Sequence, residues 1–142
     1  MHTRRTLRLT QKWDLTLDQV GRLALLGDEL ATAQNVANEA RLFTRDAYFA
    51  QDSGIPHFTV ELGRRVNAAL LRAYLRRAAL LVPDVKEVLT VRIGAINPST
   101  RTLSGDILFT TVDGHNSGQN LAQTMVGKKE EGANDGAIRT CF

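Results

Sequence analysis

With 142 residues, 43% of them hydrophobic, and a formal charge of +3, the chain has room for one modest core but not for two full domains. Its single cysteine, Cys141, excludes an intrachain disulfide framework. The basic excess is small and scattered, which permits nucleic acid as a partner without indicating it.

The first residues, Met1-His2-Thr3-Arg4-Arg5-Thr6-Leu7-Arg8-Leu9, are basic but lack the apolar stretch and small-residue cleavage site of a signal peptide. No apolar run approaches the ~20 residues that span a bilayer. The expectation is a soluble chain made in the cytoplasm, with residues 1–12 as a basic arm. Leu7, Leu9, Leu15 and Leu17 fall on odd positions, predicting one or two short strands around Gln11-Lys12. Leu23-Ala24-Leu25-Leu26-Gly27, bracketed by glycines, reads as a third short strand or a buried connector, and no internal repeat is expected.

Asp28 is a candidate N-cap for a helix to about Phe43. Leu30, Ala33, Ala37 and Ala40 recur at spacings of three and four opposite Asn35, Asn38 and Glu39. Residues 44–59 then break every period. Asp52-Ser53-Gly54 and Ile55-Pro56 are turn chemistry, and Tyr48, Phe49, Ile55 and Phe58 are expected to anchor this long loop on the core.

A second helix is predicted from about Leu62 to Leu81. On a wheel of about 100° per residue, Leu62, Val66, Ala69, Ala73 and Leu80 form its inner stripe, and Arg65, Arg72 and Arg76 group within about 40°. Leu71, Leu75 and Ala78 then point away from that stripe, towards a partner or towards a terminal segment of the same chain. Val82-Pro83-Asp84 ends the helix and opens a hairpin. In residues 85–96, Leu89, Val91 and Ile93 alternate with Lys86, Thr90 and Arg92; in residues 103–112, Leu103, Ile107 and Phe109 alternate with Ser104, Asp106 and Thr110. Two strands alone make no stable sheet, so the hairpin is expected to pack on a helix and to extend at an edge. Residues 114–142, with five glycines and Lys128-Lys129-Glu130-Glu131, read as an extended tail.

The expected architecture is α+β: two main helices on a small, mostly antiparallel sheet, with a C-terminal β-hairpin and the tail. The domain proper covers residues 13–113. His2, His57 and His115 are too scattered for a zinc site, and neither a phosphate-cradling glycine loop nor a nucleophile elbow is present. No metal, cofactor or small-molecule substrate is expected. Asp46, Asp52 and Glu61 flank the aromatic loop and leave open an acid-base glycosidase. The arginines leave open a contact with DNA. Ion pairs with a protein partner suit guanidinium groups better.

The order of these features resembles a known family. Trp13-Asp14-Leu15, the alanine-rich helix, Arg41-Leu42-Phe43 leading to Gly54-Ile55-Pro56, the basic helix, Val82-Pro83-Asp84-Val85-Lys86-Glu87-Val88 and Arg101-Thr102-Leu103-Ser104-Gly105 are similar to the small baseplate wedge proteins of contractile phage tails, the lysozyme-like sheath initiators. Better-known members carry Glu-Pro-Arg where this chain keeps only the proline of Val82-Pro83-Asp84. The resemblance implies a virion component without enzymatic activity, assembled in the host cytoplasm. It also implies that its hairpin is completed by strands of the tail sheath, and that its helices meet other wedge proteins and the tube or hub. The interface residues expected on this basis are Arg65, Arg72, Arg76, Leu71, Leu75, Val91, Arg92, Ile93, Leu103, Ile107 and Phe109.

Overall fold

The structure is a computed structural model and describes residues 5–10, 12–60, 62, 65–94, 99, 103–112, 116–119 and 140–141. It is α+β, with two small antiparallel sheets. Strands β1 (Arg5–Leu7) and β2 (Leu25–Gly27) lead into helix α1 (Asp28–Arg41). A short helix α2 (His57–Val60) and helix α3 (Ala68–Leu81) follow. Then come β3 (Val85–Ile93), β4 (Ser104–Thr111), β5 (Asn116–Gln119) and β6 (Thr140–Cys141).

Residues 5–10 of the expected arm belong to a folded unit, because β1 pairs with β2 through Arg5↔Gly27, Thr6↔Leu26 and Leu7↔Leu25. Bridges Leu9↔Leu15 and Leu17↔Leu23 close the other two sides. At the centre three backbone hydrogen bonds form a ring. Arg8 N–H donates to the Ala24 carbonyl (2.8 Å), Ala24 N–H to Thr16 (2.9 Å) and Thr16 N–H to Arg8 (3.4 Å). Residues 8, 16 and 24 are eight apart, and each is flanked by two leucines.

The turns repeat with the same period. Thr10 Oγ1 accepts from the N–H groups of Lys12 (3.3 Å) and Asp14 (3.2 Å), and Asp18 Oδ1 accepts from Val20 (2.9 Å) and Arg22 (2.8 Å). Trp13 and Gly21, also eight apart, both take positive φ, 65° and 83°. An eight-residue repeat is therefore present where none was expected. Its signal is only Leu-X-Leu plus a turn-capping oxygen, well below the 20–50 residue periods of recognised repeat folds. Trp13 holds a conformation costing ~1–3 kcal/mol for a non-glycine residue. It is retained by packing on the core and by the Arg41 guanidinium lying 4.0 Å over its ring.

Helix α1 starts one residue earlier in its cap than the sequence suggested: Gly27 occupies the N-cap position in extended geometry, with no side-chain cap bond, and Asp28 is already helical. Ala33, Ala37 and Ala40 are buried as predicted, while Leu30 is exposed. Thr32 and Gln34 are buried as well, so the helix is covered on more than one side. Gln34 explains its own burial. Its Nε2 donates to the Leu7 carbonyl (2.7 Å) and its Oε1 accepts from Leu9 N–H (3.1 Å), which ties the three-stranded plate to α1 through backbone groups that otherwise lose their partner.

Helix α3 corrects the predicted wheel. It begins at Ala68, with the Asn67 side chain accepting from Leu70 N–H (3.2 Å) at the cap, so Leu62 and Val66 are not on it. Without those two, the stripe at spacings of three and four is Leu71, Leu75, Ala78, Ala79 and Val82, and all five are buried. Ala69, Ala73 and Leu80 face water. The expected outward positions of Leu71 and Leu75 are therefore reversed: both lie in the core.

Pro83 cannot continue the helix, and the chain turns within Val82–Val85, where Val85 N–H donates to the Val82 carbonyl (3.0 Å). This lays β3 along α3. In β4 the predicted alternation holds, with Leu103, Ile107, Phe109 and Thr111 buried. In β3 it holds only beyond Leu89. Lys86 and Leu89 are extra residues between the pairs Val85↔Thr111, Glu87↔Thr110, Val88↔Phe109 and Thr90↔Leu108. Each is a β-bulge, and the second turns Leu89 outward while Val88 goes in. The core joins Ala33, Val36, Ala37 and Ala40 of α1 to the α3 stripe and to the inner face of β3–β4. The connection at Asn97-Pro98-Ser99-Thr100 lies outside the described residues apart from Ser99, as do Glu61, His2, His115 and most of the expected tail.

Candidate docking surface

The four-stranded sheet has β4 at its centre. On one side β4 pairs with β3; on the other it pairs with β5, from Ile107↔Gln119 to Thr110↔Asn116, and with β6 at Ser104↔Cys141 and Gly105↔Thr140. Two pieces of the predicted tail thus act as strands and occupy one edge of the hairpin. Among the described residues, the outer edge of β3 is the side of the hairpin that no strand covers.

That edge is not uniform. The bulges at Lys86 and Leu89 bend its first half, and bulges and lysine are devices that discourage edge-to-edge pairing. Beyond them Thr90, Val91, Arg92 and Ile93 keep unbroken register with Leu108, Ile107, Asp106 and Gly105. A straight template for another strand is therefore confined to these four residues. Within it Arg92 is exposed, Val91 and Ile93 are half-buried, and Arg92 stands opposite Asp106 in register.

The remaining expected interface residues divide sharply. Arg72 and Arg76 are exposed one turn apart on α3; Arg65 is exposed but precedes the helix, so it does not continue their row. Leu71, Leu75, Leu103, Ile107 and Phe109 are spent on the chain's own core and offer no side chain to a partner.

Sequence reasoning missed two exposed apolar groups. One is the loop tip, where Tyr48 and Phe49 meet edge-on at 5.0 Å and are 80% and 97% exposed; Phe58 is exposed too. Of the expected anchors only Ile55 is buried in the core, and the loop is held at its ends. Ile55 N–H donates to the Leu42 carbonyl (2.8 Å) and Thr44 N–H to the Ile55 carbonyl (3.1 Å), while the buried His57 ring lies tilted against Phe43 with centroids 4.6 Å apart. This is an Ω-loop: long in sequence and closed in space. The other group is the leucine face of the N-terminal plate, which the repeated Leu-X-Leu could have disclosed.

Acid chemistry has little support from the loop, since Asp46 and Asp52 are exposed and a general acid needs desolvation or a close charge. Glu39 is different. Burial pushes its carboxyl above the usual carboxylate range, and its Oε2 is buried without a hydrogen bond. A raised folded-state pKa means the folded state holds the proton more tightly than the unfolded one, so stability falls as pH climbs from the unfolded pKa through the folded one. Glu39→Gln is accordingly expected to raise Tm at pH 7 and to lose that advantage below about pH 4. Thermal melts at the two pH values check this, and an equal gain at both rules out charge burial as the cause.

Among the described residues, no group of His, Cys, Asp and Glu is placed to hold a metal ion, and no helix is long and apolar enough to cross a membrane. No protein-family model matches the chain, and no curated protein matches it.

Proposed function

We propose that the chain is a structural component of a contractile phage tail baseplate, one that links wedge and tube or hub proteins to the first sheath ring. The observation that carries this reading is the outer edge of β3, which no strand covers among the described residues and whose straight run Thr90–Ile93 lies beside a β4 already paired on its other side with β5 and β6. An added strand draws its affinity from main-chain hydrogen bonds and its register from alternate side chains. The exposed arginines of α3 supply guanidinium groups for ion pairs with neighbouring proteins. The resemblance of the sequence to sheath initiators names the partner class, and the virion as the place of work.

Hydrogen exchange on the full chain tests the proposal. In a free edge strand the amides that face outward exchange fast, whereas those facing the neighbouring strand are protected. Addition of sheath protein is expected to slow the outward-facing amides of residues 90–93. The reading fails if those amides keep the same rates in the presence of saturating sheath protein.

A further inference from the structure

The plate of residues 5–27 puts its apolar side chains on the wrong side for a core. In a strand, neighbours point to opposite faces, so the leucines flanking Arg8, Thr16 and Ala24 stand together on the face opposite those three. The ring of backbone bonds through residues 8, 16 and 24 gives the three Leu-X-Leu segments equivalent settings about one centre. Cross-strand pairing then joins the leucines in twos, as Leu7 with Leu25, Leu9 with Leu15 and Leu17 with Leu23. Thr16 and Ala24 are half-buried, though Arg8 beside them is exposed; of the six leucines only Leu9 is half-buried, and Leu7, Leu15, Leu17, Leu23 and Leu25 are exposed, the most open being Leu17 at 62%.

Five exposed leucines grouped on one face differ from the singly scattered apolar residues of an ordinary surface, and such a grouping is commonly functional. Its charges narrow the occupant. Arg5, Lys12 and Arg22 are exposed on the plate, against Asp14 and Asp18, while Arg8 stands on the opposite face. The Asp18 carboxylate is moreover engaged by the Val20 and Arg22 N–H groups. A second copy docking face to face would bring two basic rims together. A bilayer is a poorer fit as well: interfacial anchors rely on protruding aromatics, and Trp13 is folded back under Arg41. Leucines held in fixed pairs by a closed backbone ring suit a rigid, shape-matched surface.

We infer that this leucine face is a second docking surface, and that it binds a protein of the same assembly whose apolar patch is rimmed by carboxylates. The inference rests on the baseplate reading. It differs from strand addition in using side chains of residues 7–25 rather than the backbone of residues 90–93.

The test supplies the full chain to phage lacking their own copy and measures how much is recovered in purified tails. One variant combines Leu15→Asp, Leu17→Asp and Leu23→Asp; another combines Arg5→Glu, Lys12→Glu and Arg22→Glu. All six side chains are exposed, so both variants are expected to keep the circular dichroism and melting curve of the unchanged chain. Recovery of the leucine variant is expected to fall by roughly tenfold or more, with a smaller loss for the charge variant. Undiminished recovery of the leucine variant overturns the inference, and undiminished recovery of the charge variant overturns the carboxylate rim. Sedimentation of the unchanged chain with anionic vesicles, or as a dimer that the leucine variant abolishes, reassigns the face to a membrane or to a second copy and equally overturns it. Absence of the unchanged chain itself from tails removes the baseplate reading instead, while residual strand addition by the leucine variant leaves that reading intact.

Discussion

Gly54→Ala is expected to destabilise the fold by about 3 kcal/mol or more, a large share of the ~5–15 kcal/mol that holds a domain together. Gly54 has φ +91°, and an added Cβ would lie 2.7 Å from the Leu42 carbonyl oxygen and from the carbonyl carbon and oxygen of Phe43. These are backbone atoms, so no rotamer change relieves the overlap. The chain must instead open the clamp in which Ile55 N–H bonds to Leu42 and Thr44 N–H to Ile55. Each such bond is worth ~0.5–1.5 kcal/mol net, and buried Ile55 is pulled outward with them.

Two other glycines separate the contributions. At Gly21, φ is +83° but an added Cβ meets nothing within 4 Å, so Gly21→Ala carries only the left-handed penalty of ~1–2 kcal/mol. Gly27 has φ −118° and open space around it, so Gly27→Ala is expected to change stability by less than ~1 kcal/mol. Chemical denaturation of the three variants should rank them Gly27, Gly21, Gly54 in increasing cost. Should Gly54→Ala cost no more than Gly21→Ala, the close approach at the loop neck is not a constraint on the fold.

The Ω-loop also shows where the sequence was readable. Asp52-Ser53-Gly54 announced a turn because glycine chemistry is local, and of the four expected anchors Ile55 is buried in the core while Tyr48, Phe49 and Phe58 are exposed. Hydrophobicity alone predicts burial for Tyr48 and Phe49; the structure closes the loop with backbone bonds at its neck and leaves both rings in water. The β4 alternation was legible because nothing interrupts its period of two. The β3 alternation was legible only beyond Leu89, where Val91 and Ile93 pack on the core and Arg92 is exposed; before that, the extra residues Lys86 and Leu89 shift the period and put Val88 inside in place of Leu89, and neither advertises that role. Gln34 shows a third limit. A buried glutamine looks like an error until its partners are known, and these are the backbone groups of Leu7 and Leu9, more than twenty residues away. The eight-residue repeat was present in the letters throughout, but its turn positions exchange Thr10 for Asp18 and Trp13 for Gly21, which share geometry rather than residue type.

Leu75→Ala is expected to cost ~2–5 kcal/mol, and Leu80→Ala, five residues on in the same helix, less than about 1 kcal/mol. The sequence wheel predicts the reverse order. Its error lay in counting Leu62 and Val66 as helical, which rotated the assigned inner stripe to the wrong side. With the helix starting at Ala68, Leu71 and Leu75 are 0% and 1% exposed, whereas Leu80 is 47% exposed. Leu71 and Leu75 stand one turn apart in one cluster with Phe109 and Ile107 of β4, so truncating both is expected to be non-additive and to approach the stability of the whole domain. Urea titrations of the two single variants decide the matter, and a larger loss for Leu80→Ala than for Leu75→Ala would return the wheel to its predicted setting. The outcome bears on function as well as on packing. If the apolar stripe of α3 is consumed by the core, that helix meets a partner only through Arg72, Arg76 and their exposed neighbours. On the proposed reading, strand pairing then rests on the run from Thr90 to Ile93, and apolar contact on exposed side chains such as the leucines of the plate.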